Sequence, residues 1–287
     1  MAAAEQGHLV HPEGRTWKTH FPEGDLWVFG YGSLIWKPPP HYDQRIPGYI
    51  NGYVRRFWQV RMRLKSRENL NNINLLTSES SDHRGTRDQP GRVVTVIERS
   101  FWETLDDPIA ELESESASTG KVWGAAYHIP ASHAEEVHDY LDEREINGYT
   151  AHYTPFHPTV DVDATTAGGD QGSSPIICMV YIGQPSNSQF LREAASRDPQ
   201  QVARVISSSQ GASGKNTEYL FMLEKALEGI GLGTADVHVT DLVKRVKAIE
   251  AEGLGEAEEK EAELHVTKSL EVAAGDPAHA DGRSAIE

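Results

Sequence analysis

The sequence predicts an α+β domain built on an antiparallel or mixed sheet. Three observations carry that reading: strand-like runs crowd the earlier part of the chain, helical periodicity takes over from about Pro199, and strands and helices do not alternate regularly. A doubly wound parallel sheet would need that alternation.

Leu26 to Phe29 and Ile176 to Ile182 are short apolar runs, as buried strands require. Tyr49 to Val60, Arg92 to Glu98, Val122 to Ile129 and His152 to Val162 carry the β-branched and aromatic residues that favour extended chain. Ser132 to Glu145 reads as a helix. Ser132 is a suitable N-cap, Glu135 three residues on makes a capping box, and Asn147-Gly148 supplies a stop. Pro199 to Ser208, Asn216 to Glu228 and Asp236 to Glu250 show the apolar spacing of further helices. Polar stretches near 61–80, 99–120 and 164–174 read as insertions between strands, expected to be surface loops or locally disordered. Residues 1–24 form an N-terminal extension, 25–253 the folded domain, and 254–287 an acidic tail expected to be disordered.

A chain of 287 residues buries a core without covalent staples. Its formal charge of -16 would repel nucleic acid and anionic membranes, so neither is expected as a partner. No run approaches the ~20 apolar residues of a membrane span, and the N-terminus lacks an apolar signal core. Cys178, the only cysteine, lies in Ile176-Ile177-Cys178-Met179-Val180 and reads as a buried structural thiol. A chain without disulfides suits a reducing cytoplasm, which is the expected location.

In Trp27-Val28-Phe29-Gly30-Tyr31-Gly32-Ser33-Leu34 an apolar strand runs into a tyrosine bracketed by glycines. A dinucleotide fingerprint fails there, because its third glycine would fall at Ile35 and Pro38-Pro39-Pro40 cannot open the required helix. Gly211 to Thr217 fails as a phosphate loop, with Ser209 and Asn216 where glycine and a hydroxyl are needed. What survives is a turn whose backbone N–H groups, unshielded by Cβ atoms, can meet a carboxylate or a developing oxyanion. A tight structural turn is the alternative reading.

The thirteen histidines include no H-E-x-x-H, so no metal site is expected, and His83 in a polar loop reads as structural. Gly30 to Leu34 is not the G-x-S-x-G elbow of serine hydrolases. Arg55-Arg56 alternates within a strand, which would turn one arginine inward, where it needs a carboxylate. Within Ser132 to Glu145, Ala134, Val137 and Leu141 share one helix face and most acids take the other. Glu145 does not: it lies four residues after Leu141, on the apolar stripe. Desolvation and the negative end of a helix dipole both favour proton uptake by a carboxylate, so Glu145 is a candidate general base. A position just past a frayed helix end, or a buried pair with an arginine such as Arg56 or Arg92, is the alternative.

Taken together, several blocks resemble the ChaC-type, glutathione-specific γ-glutamylcyclotransferases: WVFGYGSLIW (Trp27 to Trp36), GYVRRFWQ (Gly52 to Gln59), DHRGT (Asp82 to Thr86), PGRVVTVIE (Pro90 to Glu98), VWGAAY (Val122 to Tyr127), YLDEREINGY (Tyr140 to Tyr149) and SGKNTEYLF (Ser213 to Phe221). They span Leu26 to Lys247 in the family's order. The resemblance implies a small mixed β-barrel flanked by helices, and release of 5-oxoproline and cysteinylglycine from glutathione. Carried over by position, Val28, Phe29, Gly30, Tyr31, Gly32, Ser33 and Leu34 bind the γ-glutamyl group, Glu145 is the acid/base, and Tyr149 and Tyr219 stand near the pocket. No cofactor or metal is implied. Other γ-glutamyl compounds as substrates, or a non-catalytic binding role, are the competing expectations.

Overall fold

The computed structural model describes residues 17–61, 84–111, 120–145, 148–159, 175–230 and 236–254. In chain order the elements are α1 Trp17–His20, β1 Leu26–Gly30, β2 Gln44–Asn51, β3 Tyr53–Arg61, β4 Gly91–Glu98, α2 Arg99–Trp102, β5 Lys121–Ile129 and α3 Ala131–Glu145. There follow β6 Thr150–Pro158, β7 Ile176–Ile182, α4 Ala194–Arg197, α5 Pro199–Ser208, the short β8 Gln210–Gly211 and β9 Gly214–Lys215, and α6 Asn216–Gly229. A last helix, α7, covers 237–254. Contacts group the chain into a unit ending at Val246 and another from Lys247. Barrel, second sheet and pocket all belong to the first.

Five strands close into a barrel in the order β1, β5, β2, β6, β7. Four junctions are antiparallel, and β7 returns to β1 in parallel with Met179 opposite Val28. Closure leaves no strand edge unpaired in the barrel, and the mixed β-barrel with helices is the fold expected from the resemblance. α3 lays Ala134, Val137 and Leu141 against Val28, Ile129 and Met179 of the barrel wall, all buried. This contact fixes where α3 ends, and so where Glu145 stands. β3 and β4 form a separate antiparallel pair, with a register shift between Arg56 and Gln59.

Several boundaries differ from expectation. The run Tyr49 to Val60 is two strands, because Gly52 adopts φ +82 and turns the chain out of β2 into β3. α3 starts at Ala131, whose N–H donates to Asp25 Oδ1 at 2.8 Å, so Ser132 lies inside the first turn instead of capping it. Trp17 and Phe21 join the core beneath α3, so the fold begins before the boundary drawn at Asp25. The stretch near 99–120 is anchored at its start: Trp102 and Ile109 are buried. Residues 62–83 with His83, 112–119, 160–174 and 255–287 lie outside the described residues. Cys178 is buried as expected, and burial pushes its thiol well above its ordinary range.

Both Arg55 and Arg56 are buried, where alternation turned only one inward. Each finds its own carboxylate, Asp236 for Arg55 and Asp107 for Arg56, both at 2.7 Å. Next to them His238 Nε2 accepts the Phe57 N–H at 2.9 Å, which requires neutral imidazole. Burial, and then the charges of Arg56 and Arg55, push His238 well below its ordinary value of 6.5. The unfolded chain takes up that proton and the folded one does not, so this contribution is present above pH 6.5 and lost as pH falls. Denaturant midpoints at pH 7.5 and 5.5 should therefore differ, and His238→Gln, which keeps an acceptor, should narrow the difference. An equal fall in the variant would place the acid sensitivity elsewhere.

Candidate active site

The C-terminal end of β1 and the C-terminal end of α3 meet at one pocket. β1 gives Phe29, the turn after it Tyr31, Gly32, Ser33 and Leu34, α3 Glu145, and the chain beyond α3 Tyr149; Tyr219 reaches in from α6. All eight were expected from the sequence. Two others are not in the wall. Val28 is fully buried in the core behind it. Gly30 pairs with Ala125 in the barrel, and its role is close packing: a Cβ there would stand 2.7 Å from Leu34 Cβ.

Ser33–Ile35 forms one 3-10 turn after Gly32. The first N–H groups of such a turn have no acceptor within it and are available to a ligand. Gly32 stands where a Cβ would come within 2.7 Å of Val94 Cγ1 and 3.4 Å of the Tyr219 hydroxyl. Gly32→Val should therefore weaken both substrate binding and turnover, by about tenfold or more, in a protein that still folds. Unchanged kinetics would return the turn to a purely structural role.

The Glu145 side chain is 15 % exposed and its Oε1 lies 3.4 Å from Arg144 Nε. The arginines proposed from sequence as its partners are engaged elsewhere, Arg56 with Asp107 and Arg92 with the Pro90 and Gly91 carbonyls. Arg144 is the residue that sequence reasoning missed. It donates from Nη2 to Ser33 Oγ at 2.9 Å and from Nη1 to the Lys37 carbonyl at 3.2 Å, which ties the glycine turn to the end of α3. The signal was there: Arg144 falls three residues after Leu141 and seven after Val137, on the same stripe as Glu145. Val94 and Tyr181, also in the wall, sit on strands distant in sequence and carry no local signature.

Four tyrosines line the pocket. Burial holds Tyr31, Tyr149 and Tyr181 protonated far above the usual range. Their hydroxyls donate to the Tyr181 carbonyl (2.7 Å), the Val94 carbonyl (2.9 Å) and Asp142 Oδ1 (2.6 Å) respectively. Each oxygen keeps acceptor capacity that could meet an ammonium or amide N–H. Near the opposite end of α3, His41, His133 and Glu136 bring three donor atoms within 4.8 Å of one another. Glu136 is nine residues, or ~14 Å along the helix, from Glu145, so this group belongs to a different surface. No helix among the described residues is long and apolar enough to cross a membrane.

Comparison with known proteins shows the family. Residues 26–70 and 74–249 match the family model described as ChaC-like protein. The chain is 41 % identical over 232 residues to the glutathione-specific gamma-glutamylcyclotransferase of Schizosaccharomyces pombe, covering 80 % of this chain and 96 % of that one. It is 36 % identical to the protein of the same name from Saccharomyces cerevisiae, covering 75 % and 91 %. The crystal structure of a gamma-glutamyl cyclotransferase specific to glutathione from yeast matches with a TM-score of 0.61 at 34 % identity, covering 78 % of this chain and 99 % of that one. The chain therefore belongs to the ChaC-like family.

Proposed function

We propose that the protein cleaves the γ-glutamyl bond of glutathione by intramolecular aminolysis, giving 5-oxoproline and cysteinylglycine. The observation that carries this reading is the facing of Glu145 and the glycine turn across one pocket, with Arg144 joined to both. The names of the relatives support the substrate.

In a γ-glutamyl group the α-amine can close a five-membered ring on the γ-carbonyl, so the substrate brings its own nucleophile. What the protein must supply is positioning, proton transfer and a place for negative charge. Holding the amine over the carbonyl removes several kcal/mol of barrier, on the order of the gain from near-attack geometry. Glu145 takes a proton from the amine as the new C–N bond forms. The γ-carbonyl oxygen becomes an oxyanion that the N–H groups of the Gly32 to Leu34 turn receive, each donor typically worth ~3 kcal/mol. As the bond to the cysteinyl nitrogen breaks, Glu145 returns its proton to that nitrogen. No water enters: two protons leave the substrate ammonium and two arrive on the departing amine, one of them through Glu145 and one through solvent.

The test is release of 5-oxoproline by the purified protein from glutathione, beside a γ-glutamylamine and a γ-glutamyl amino acid. Preferential release from glutathione supports the proposal. Preference for another compound would keep the chemistry and change the substrate, and no release from any of them by a folded protein would favour a binding role.

A further inference from the structure

The pocket has a second lobe, lined by Arg61, Val93 and Arg144 and sharing Ser33, Glu145, Tyr149 and Tyr219 with the first. Phe29 of β1 and Tyr31 and Gly32 of the turn do not border it. In the proposed reaction the first lobe takes the γ-glutamyl group, and the second, which shares Glu145 with it, is adjoining space for the leaving portion.

This lobe holds two buried cations. Arg144 is 3 % exposed and engaged at Nε, Nη1 and Nη2 with Glu145, Lys37 and Ser33. Arg61 is 4 % exposed, donates from Nη2 to the Arg144 carbonyl at 3.3 Å, and sets its guanidinium 5.9 Å from the centre of the Tyr149 ring. Its Nη1 has no hydrogen-bond partner among the described residues. A buried guanidinium with an unspent donor at the wall of a cavity is costly unless a ligand completes it. Glu145 is the one carboxylate lining the lobe against two arginines, so the lobe is locally positive on a chain whose formal charge is -16.

We propose that Arg61 forms a carboxylate subsite that holds the C-terminal carboxylate of the leaving dipeptide. Two residues of extended chain span ~7 Å from the scissile nitrogen, and the shared wall lets one substrate occupy both lobes. Guanidinium and carboxylate pair through parallel N–H···O bonds, which selects a free carboxylate over an amide or a bare amine. The subsite thus makes the enzyme discriminate by the group attached to the γ-glutamyl carbonyl, and it rests on the proposed reaction.

The experiment compares kcat/KM for glutathione with that for its glycinamide analogue, whose terminal carboxylate is blocked, in wild type, Arg61→Gln and Arg61→Lys. Wild type should prefer the free acid by about 10–100-fold, the usual size of a charge-assisted contact. Arg61→Gln should bring the ratio near one, chiefly by raising KM for glutathione, and Arg61→Lys should restore part of it. A ratio that survives in Arg61→Gln, or a parallel loss on both substrates, would overturn the subsite and leave Arg61 as a support for Arg144. If wild type turns over neither compound, the reaction itself fails. Calorimetric binding of the same two compounds then decides the subsite: preference for the free acid that depends on Arg61 upholds it, and equal binding overturns it.

Discussion

Glu145→Gln is expected to lower turnover of glutathione by roughly 10²–10⁴ while leaving substrate affinity within a few-fold of wild type. Glutamine preserves the shape and size of the side chain but cannot accept the amine proton or return it to the leaving nitrogen. The turn proposed to hold the γ-glutamyl group is tied to α3 through Arg144, which keeps its bonds to Ser33 Oγ and to the Lys37 carbonyl in the variant. Loss therefore belongs in kcat. A variant with normal kcat and a raised KM would show that Glu145 binds substrate without moving its proton. Glu145→Asp retains a carboxylate but withdraws it by a methylene, so it should fall between the two. Activity in the aspartate variant no better than in the glutamine variant would mean that position outweighs proton transfer at this residue.

Asp107→Ala is expected to destabilise the fold by about 3–5 kcal/mol, the usual cost of stranding one member of a buried ion pair. Arg56 is fully buried and Asp107 is 2 % exposed, with 2.7 Å between Nε and Oδ2. The same Oδ2 accepts the Trp102 indole N–H at 2.7 Å, and Oδ1 accepts the Ile109 N–H. Removing the carboxylate takes the Asp107 charge from a buried guanidinium and the acceptor from the Trp102 and Ile109 N–H groups, in a domain whose whole stability is on the order of 5–15 kcal/mol. Glu103→Ala, which breaks the exposed Arg99–Glu103 pair, should cost under about 1 kcal/mol by comparison. Urea unfolding of both variants measures the contrast. Equal midpoints would show that the Arg56 pair has no structural weight, and replacing Arg56 and Asp107 together by apolar residues should recover much of the loss.

Where order along the chain carries the information, the fold was legible. Pro199–Ser208 was legible from its apolar spacing, and in the structure Asp198 caps it, accepting the Gln201 N–H, while a proline opens it. Ile176–Ile182 was equally plain as an unbroken apolar run. Gly52 was misread because a glycine inside a strand pattern looks like a weak strand residue until its φ is known. Barrel closure rests on β1 meeting β7, a pairing between residues about as far apart as Val28 and Met179, and no local pattern encodes it. It was reached through the family resemblance alone.

The site divides in the same way. Glu145 and the glycine turn stood out because each breaks a local rule, an acid on an apolar stripe and bare backbone at a strand end. Their supports did not stand out. The need of an inward arginine for a carboxylate was foreseen, but Asp107, which pairs with Arg56, lies 51 residues away and Asp236, which pairs with Arg55, 181 residues away. Glu145 also has an arginine beside it, Arg144, its neighbour in sequence. Arg61 stands at the edge of a polar stretch read as an insertion, outside every motif, and only the fold brings it to the pocket.

In the proposed reaction the substrate's own amine, and not water, attacks the γ-carbonyl. Running the reaction to completion in water enriched in ¹⁸O and weighing the products by mass spectrometry separates the two. Unlabelled 5-oxoproline in equal amount with cysteinylglycine is the expected result. Glutamate carrying one ¹⁸O would mean hydrolysis, and would contradict both the role given to the amine and the path of the proton through Glu145.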